Sequence, residues 1–267
     1  MPLLTFFLTA FGFSWLFWIP AAINGTDVSR FPGELYLWLG GAGPFIAALL
    51  HVFRASPEYR RDYWQRLINF QRAGWRWILT AVFIIPVFTL LAGLLQYTLG
   101  GTELNASAAT VLQSPLKLIA LLISALFFGP LPEEMAWRGY ALGGLLKRFS
   151  PLKASLLLGT IWTIWHLPLF WMDGSFQQTE VGFDTLAFVW FCTGTLIGSI
   201  VYTWLFQRSN NSTLTAVLFH FSTNLVGQLV GYDLQIIGYQ SVLMIAAAAL
   251  LMVSGQPAPP YANSSPP

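Results

Sequence analysis

Apolar residues run through this chain in blocks of about twenty, separated by short polar stretches. A block of that length in helical form matches the hydrocarbon thickness of a bilayer. Eight such blocks occur, near residues 3–23, 35–53, 77–99, 117–147, 153–171, 185–206, 212–231 and 236–254. The pattern predicts an all-α polytopic membrane protein with about eight transmembrane helices. The fourth block is too long for one straight crossing and contains Gly129-Pro130-Leu131-Pro132, so a break or kink is expected there. The first block is long enough to span the bilayer and has no basic segment before it, which separates it from a cleaved signal peptide.

Composition supports the same reading. The 267 residues are 55% hydrophobic and 9% charged, whereas a soluble domain carries roughly a quarter charged residues. That leaves too little charge to coat a soluble globule. Twelve Trp, 22 Phe and 9 Tyr suit a chain anchored at two membrane interfaces. The lone cysteine, Cys192, excludes an intramolecular disulfide.

The polar stretches sort by charge. Arg54, Arg60, Arg61, Arg66, Arg72 and Arg76 lie in one, Lys147, Arg148 and Lys153 in another, and Arg208 in a third. Eight crossings put all of these on one side together with both termini, and the positive-inside rule makes that side cytoplasmic in a multi-pass protein of the cell (plasma) membrane. The opposite loops hold Asp27, Glu34, Glu103, Asp173, Glu180, Asp184 and Asp233, with Arg30 and Lys117 as their basic residues. Residues 57–76 place Tyr63, Trp64, Leu67 and Ile68 at helical spacing among arginines, which predicts an amphipathic helix lying on the cytoplasmic surface as an anchor. Three regions are expected: 1–114 with three spans and this helix, 115–255 as the catalytic membrane domain, and 256–267 as a Pro/Ser/Asn-rich disordered tail.

An ionisable group deep in a bilayer costs roughly 2.5–3.5 kcal/mol or more, so each one requires a reason. Three clusters qualify: Glu133-Glu134-Met135-Ala136-Trp137-Arg138, Trp162-Thr163-Ile164-Trp165-His166 and His220-Phe221-Ser222-Thr223-Asn224. Glu134 lies 13 residues before Lys147, His166 13 after Lys153, and His220 12 after Arg208. At the helical rise each sits roughly 18–20 Å from the basic end of its helix. Three helices therefore present acid, imidazole and imidazole at one depth, as one site in a polar intramembrane cavity open to the cytoplasm. Glu134 and Arg138 are spaced i,i+4 for an ion pair, which leaves Glu133, about 100° around the helix, for another partner. His220 and Asn224 share a face. Trp162, one turn before His166, is placed to fix that ring. Taken singly, the Glu–Arg pair reads as a structural ion pair and His220–Asn224 as helix–helix glue; their common depth makes the case for a site.

A buried carboxylate beside an imidazole activates water, and a second imidazole with a carboxamide offers donors to an oxyanion, which together describe amide hydrolysis. Glu133, His166 and His220 would equally make a three-ligand zinc site with an open position, and these two versions stay open on spacing alone. Neither an H-E-x-x-H helix nor a Gly-x-Ser-Gly nucleophile occurs, and Asp184 and Asp233 fall in outer loops.

Glu-Glu-x-x-x-Arg, aromatic-x-x-x-His and His-x-x-x-Asn on successive spans resemble the CPBP family of membrane proteases: the type II (Rce1-like) CAAX prenyl endopeptidases and the bacteriocin-processing or immunity (Abi) proteins. The resemblance covers about residues 115–250. It departs at Trp162, where the family usually has Phe. It implies Glu133 as catalytic base acting with His166 on water, His220 and Asn224 as the oxyanion pair, and Glu134 and Arg138 as supporting residues. No cofactor would then be required, with zinc or another divalent metal as the alternative. The implied partners are a peptide or lipidated protein substrate, such as a prenylated tail or leader peptide, and the bilayer, with no nucleic acid. The competing readings are a non-catalytic scaffold or immunity protein binding a peptide in the same cavity, and a proton-coupled transporter; no internal repeat supports transport.

Overall fold

A computed structural model describes residues 2–99, 114–231 and 233–253. The expected outer-loop acid Glu103 and the expected disordered tail lie outside the described residues. Among the described residues there is no strand. This follows from the solvent: hydrocarbon offers no partner to a backbone amide, and a helix satisfies its own.

The elements are α1 (Pro2–Ile23), α2 (Glu34–Gly41), α3 (Gly43–Phe53), α4 (Pro57–Ile68), α5 (Phe70–Ala73), α6 (Trp75–Thr98), α7 (Pro115–Phe127), α8 (Pro130–Ala136), α9 (Leu142–Leu146), α10 (Pro151–Trp165), α11 (Leu186–Arg208), α12 (Thr213–Val230) and α13 (Leu234–Val253). Among the described residues, eight helices or helix pairs are long and apolar enough to cross a membrane, from Pro2–Ile23 to Leu234–Leu251, and they coincide with the eight apolar blocks.

Where the helices cross, small residues let the backbones approach. A Cβ at Gly43 would collide with the Ser14 hydroxyl and the Ala10 carbonyl, so α1 and α3 meet at that glycine. At Gly159 a Cβ would lie 3.0 Å from Ser199 Oγ, which brings α10 onto α11. The Ser222 hydroxyl donates to the Val82 carbonyl (2.7 Å) and ties α12 to α6.

The loops expected to share a side do share an end of the bundle. Val28 N–H donates to the Asp173 carbonyl (2.8 Å), joining two acidic loops. At the other end Arg72 Nε donates to the Asn210 carbonyl (3.0 Å) and Ser212 Oγ to the Arg66 carbonyl (3.1 Å).

The long fourth block breaks at Phe128–Gly129, as its Gly-Pro-Leu-Pro sequence predicts, and beyond α8 it carries a π-turn, Trp137–Ala141, that the pattern does not announce. Two local expectations change. The fifth block is not one helix to 171: α10 ends at Trp165 and a 3₁₀ turn, Leu167–Trp171, follows, because Pro168 has no amide to continue the ladder. The amphipathic segment is not a single surface anchor. It is split at Asn69 and Gly74 into α4 and α5, and the apolar face of α4 is turned to protein. Tyr59, Tyr63 and Arg66 are buried, and the Tyr63 hydroxyl donates to the Met135 carbonyl (2.9 Å), just before the π-turn. Burial pushes the Tyr63 phenol above its usual range, so it stays protonated as that donor.

Tyr63→Phe should therefore lower stability by about 1–3 kcal/mol, because it leaves a buried carbonyl without this donor. Thermal unfolding in detergent measures it, and an unchanged midpoint would mean that the bond does not hold α4 to the bundle.

Candidate active site

Gly129 opens the site. Its φ of +135° lies where side-chain-bearing residues are strained, and it turns the chain sharply out of α7. Pro130 then starts α8, with its fixed φ suited to a first helical position. Glu133 and Glu134 follow within two turns and face different neighbours.

Glu134 and Arg138 are both 0% exposed. Arg138 Nη1 donates to both oxygens of Glu134 (2.8 and 3.0 Å), Nη2 donates to Ser199 Oγ on α11 (3.1 Å), and the guanidinium carbon stands 3.8 Å from the Tyr202 ring centre and 4.7 Å from that of Trp162. Glu134 Oε1 also accepts from His220 Nδ1 on α12 (2.9 Å). The π-turn that carries Arg138 is packed around this group: a Cβ at Gly139 would lie 3.2 Å from the Tyr63 ring.

Glu133 is different. Its Oε2 accepts from the indole N–H of Trp162 on α10 (2.7 Å). A Cβ at Gly129 would lie 3.5 Å from its Oε1 and 3.4 Å from Asn224 Nδ2, so the bare α-carbon of Gly129 leaves a gap between carboxylate and carboxamide. Asn224 is half-buried. Glu133, His166 and His220 keep 8%, 8% and 7% exposure, in contrast to the sealed Glu134–Arg138 pair.

His166 caps the C-terminal end of α10. Its Nδ1 donates to the Trp162 carbonyl (2.7 Å); that oxygen only accepts, so in the neutral ring Nε2 keeps its lone pair. Trp165 packs against one side of the ring (4.7 Å between centres) and Phe191 of α11 against another (5.4 Å).

The structure thus gathers Glu133, Glu134, Arg138, Trp162, His166 and His220 into one contiguous cluster, with Asn224 at its edge beside Gly129. Sequence spacing anticipates the Glu134–Arg138 pair but not its completion by Ser199 and Tyr202; their signal was a serine and a tyrosine three residues apart in an apolar run. The partner left open for Glu133 is Trp162. That tryptophan does meet the His166 ring (5.6 Å between centres), yet its polar bond goes to the carboxylate.

A cavity of about 400 Å³ lies against Trp15, Ile19, Leu167, Pro168 and Trp171, apart from the polar side chains of the cluster. The zinc version would need Glu133, His166 and His220 to share one ion. Among the described residues no three His, Cys, Asp or Glu side chains are grouped to hold a metal ion. Nδ1 of each imidazole and Oε2 of Glu133 are hydrogen-bonded, which leaves Nε2 of each ring and Oε1 of the acid outside these bonds.

Arg138→Ala should destabilise the protein by about 3–5 kcal/mol, since it strands a buried carboxylate. Glu134→Gln combined with Arg138→Met should recover much of that loss. Unfolding midpoints of the two variants decide it; a mild Arg138→Ala phenotype would show that the pair is not the sealed unit described here.

Residues 115–226 match the family model of type II CAAX prenyl endopeptidases, Rce1-like. Over 255 residues, 92% of this chain and 92% of the relative, the sequence is 28% identical to CAAX prenyl protease 2 of Methanococcus maripaludis. The matched stretch begins at the start of α7 and ends just past Asn224, so it contains the whole cluster from Glu133 to Asn224. Over this stretch the chain is similar to the Rce1-like type II CAAX prenyl endopeptidases, and that similarity, together with the full-length relative, supports an intramembrane protease.

Proposed function

We propose that this protease cleaves a peptide bond near the end of a membrane-associated substrate, with Glu133 as general base, and that a prenylated protein tail is the first substrate to consider. The observation that carries the reading is the contrast between the two adjacent acids. Glu134 is spent on Arg138 and His220, whereas Glu133 accepts one neutral indole N–H and keeps its second oxygen beside the gap at Gly129. A carboxylate in that setting is suited to taking a proton from water.

In this mechanism a water occupies the gap, hydrogen-bonded to Glu133 Oε1 and to His166 Nε2. Glu133 removes one proton as the water oxygen adds to the scissile carbonyl carbon. The resulting oxyanion receives N–H donors from Asn224 Nδ2 and from the His220 ring, which Glu134 holds through Nδ1. Glu133 then delivers its proton to the departing amine as the C–N bond breaks. Every proton in this cycle is moved by the chain's own residues. The relative named CAAX prenyl protease 2 supports a lipidated tail as substrate; a leader or bacteriocin-like peptide is the comparison arm of any substrate panel.

Orientation follows from charge. The end that holds Arg54, Arg60, Arg61, Arg72, Lys147, Arg148 and Arg208 faces the cytoplasm of a cell membrane in this reading, with the acidic loops outside.

The test is cleavage of prenylated and unlipidated tail peptides by purified protein in detergent. Glu133→Gln should lower kcat at least about 100-fold while peptide binding survives, and Asn224→Ala should cost about 100- to 1,000-fold. Cleavage should continue in the presence of a metal chelator. A Glu133→Gln variant as fast as wild type, or complete loss on chelation, would overturn the mechanism.

A further inference from the structure

A general base held by nothing would rotate. The terminal torsion of a glutamate is broad and roughly two-fold, so a free Glu133 would present either oxygen, in a range of directions, to the gap. Trp162 removes that freedom. Its indole N–H is a donor only, and at 2.7 Å from Oε2 it takes that oxygen out of play. The other oxygen, Oε1, is the one that borders the gap over Gly129, across from Asn224 Nδ2.

The indole is itself unable to swing away. It lies over the guanidinium of Arg138 (4.7 Å), meets the ring of His220 nearly at right angles (5.5 Å, 76°) and that of Tyr202 at 90° (5.9 Å). The same residue's main-chain carbonyl accepts from His166 Nδ1 (2.7 Å). Trp162 therefore touches both groups assigned to the water, one through its side chain and one through its backbone.

We infer that Trp162 is a positioning residue for hydrolysis: its indole N–H pins Oε2 of Glu133 so that Oε1 alone faces the reacting water, over Gly129 and opposite the Asn224 carboxamide. This rests on the reading of Glu133 as the base. It assigns to the side chain a polar role that an aromatic ring without an N–H would not fulfil.

Trp162→Phe keeps a ring against Arg138, His220 and Tyr202 and removes the donor. Displacing a catalytic group by about 1 Å lowers a rate by up to about 100-fold, so kcat should fall about 10- to 100-fold with KM within about twofold of wild type. The thermal midpoint in detergent serves as a control for packing and should hold. A second variant carries the benzothienyl analogue of tryptophan at position 162 alone, which replaces the N–H by sulfur and keeps both rings; it should show the same kcat loss even if the smaller phenyl ring loosens the fold. A wild-type kcat in the benzothienyl variant overturns the inference, as does a loss confined to KM or to the midpoint. Glu133→Gln measured alongside separates the levels. If that variant cuts normally, the base assignment fails and the positioning role falls with it. If it is inactive while the benzothienyl variant is not, only the role of Trp162 fails.

Discussion

The ion pair between Glu134 and Arg138 is the constraint around which the site is arranged. Two unit charges with no exposure, in a chain surrounded by hydrocarbon, lose several kcal/mol of hydration each and recover it only if every remaining donor and acceptor is well placed. The surrounding features answer most of that requirement, with Arg138 Nε left as a buried donor without a partner among the described residues. Arg138 meets Glu134 through Nη1, Ser199 through Nη2, and the faces of Tyr202 and Trp162 above its plane. Glu134 takes His220 Nδ1 as a further donor. The pair thereby draws α8, α10, α11 and α12 to a common point, and the π-turn at Trp137–Ala141 carries one of its two members.

From this the division of labour between neighbouring acids follows. Glu133 and Glu134 are adjacent in sequence and opposite in circumstance. One is sealed and fully partnered; the other borders a gap with an oxygen to spare. Two carboxylates whose surroundings differ in this way are suited to different tasks in one site. The sealed acid holds a histidine, and in the proposed mechanism the other acid acts on water. In that mechanism the bare α-carbon of Gly129 would give the water room, and Trp162 would give the base its direction.

Much of this was legible in the chain. Span number and order follow from the length of apolar blocks, because hydrocarbon sets a fixed thickness, and loop grouping follows from charge. The three polar clusters stood out because a bilayer makes each such residue expensive, and their equal distance from basic anchors brought them to one depth. What spacing could not supply was the identity of neighbours on other helices. Ser199 and Tyr202 looked like ordinary residues of an apolar span until α11 was set against Arg138 by the approach at Gly159. The pattern makes Tyr63 an interfacial anchor, because its partner, the Met135 carbonyl, is invisible in any pattern of side chains. It presents Trp162 as an aromatic ring, whereas the N–H on its edge makes the bond to the carboxylate. Pro168 was the one overlooked local signal: it ends α10 at the residue before His166 and so sets that ring at a helix terminus.

The most direct test of this organisation is the energetic coupling between Glu134 and His220 during turnover. A double-mutant cycle on kcat/KM for peptide cleavage, with Glu134→Gln, His220→Ala and the two combined, measures it. If Glu134 acts by holding His220, the second substitution adds little to the first, and the coupling is at least about 1.5 kcal/mol. Losses that add to within about 0.5 kcal/mol would mean that the two residues act independently, and would contradict the account of a sealed ion pair that organises the catalytic ring.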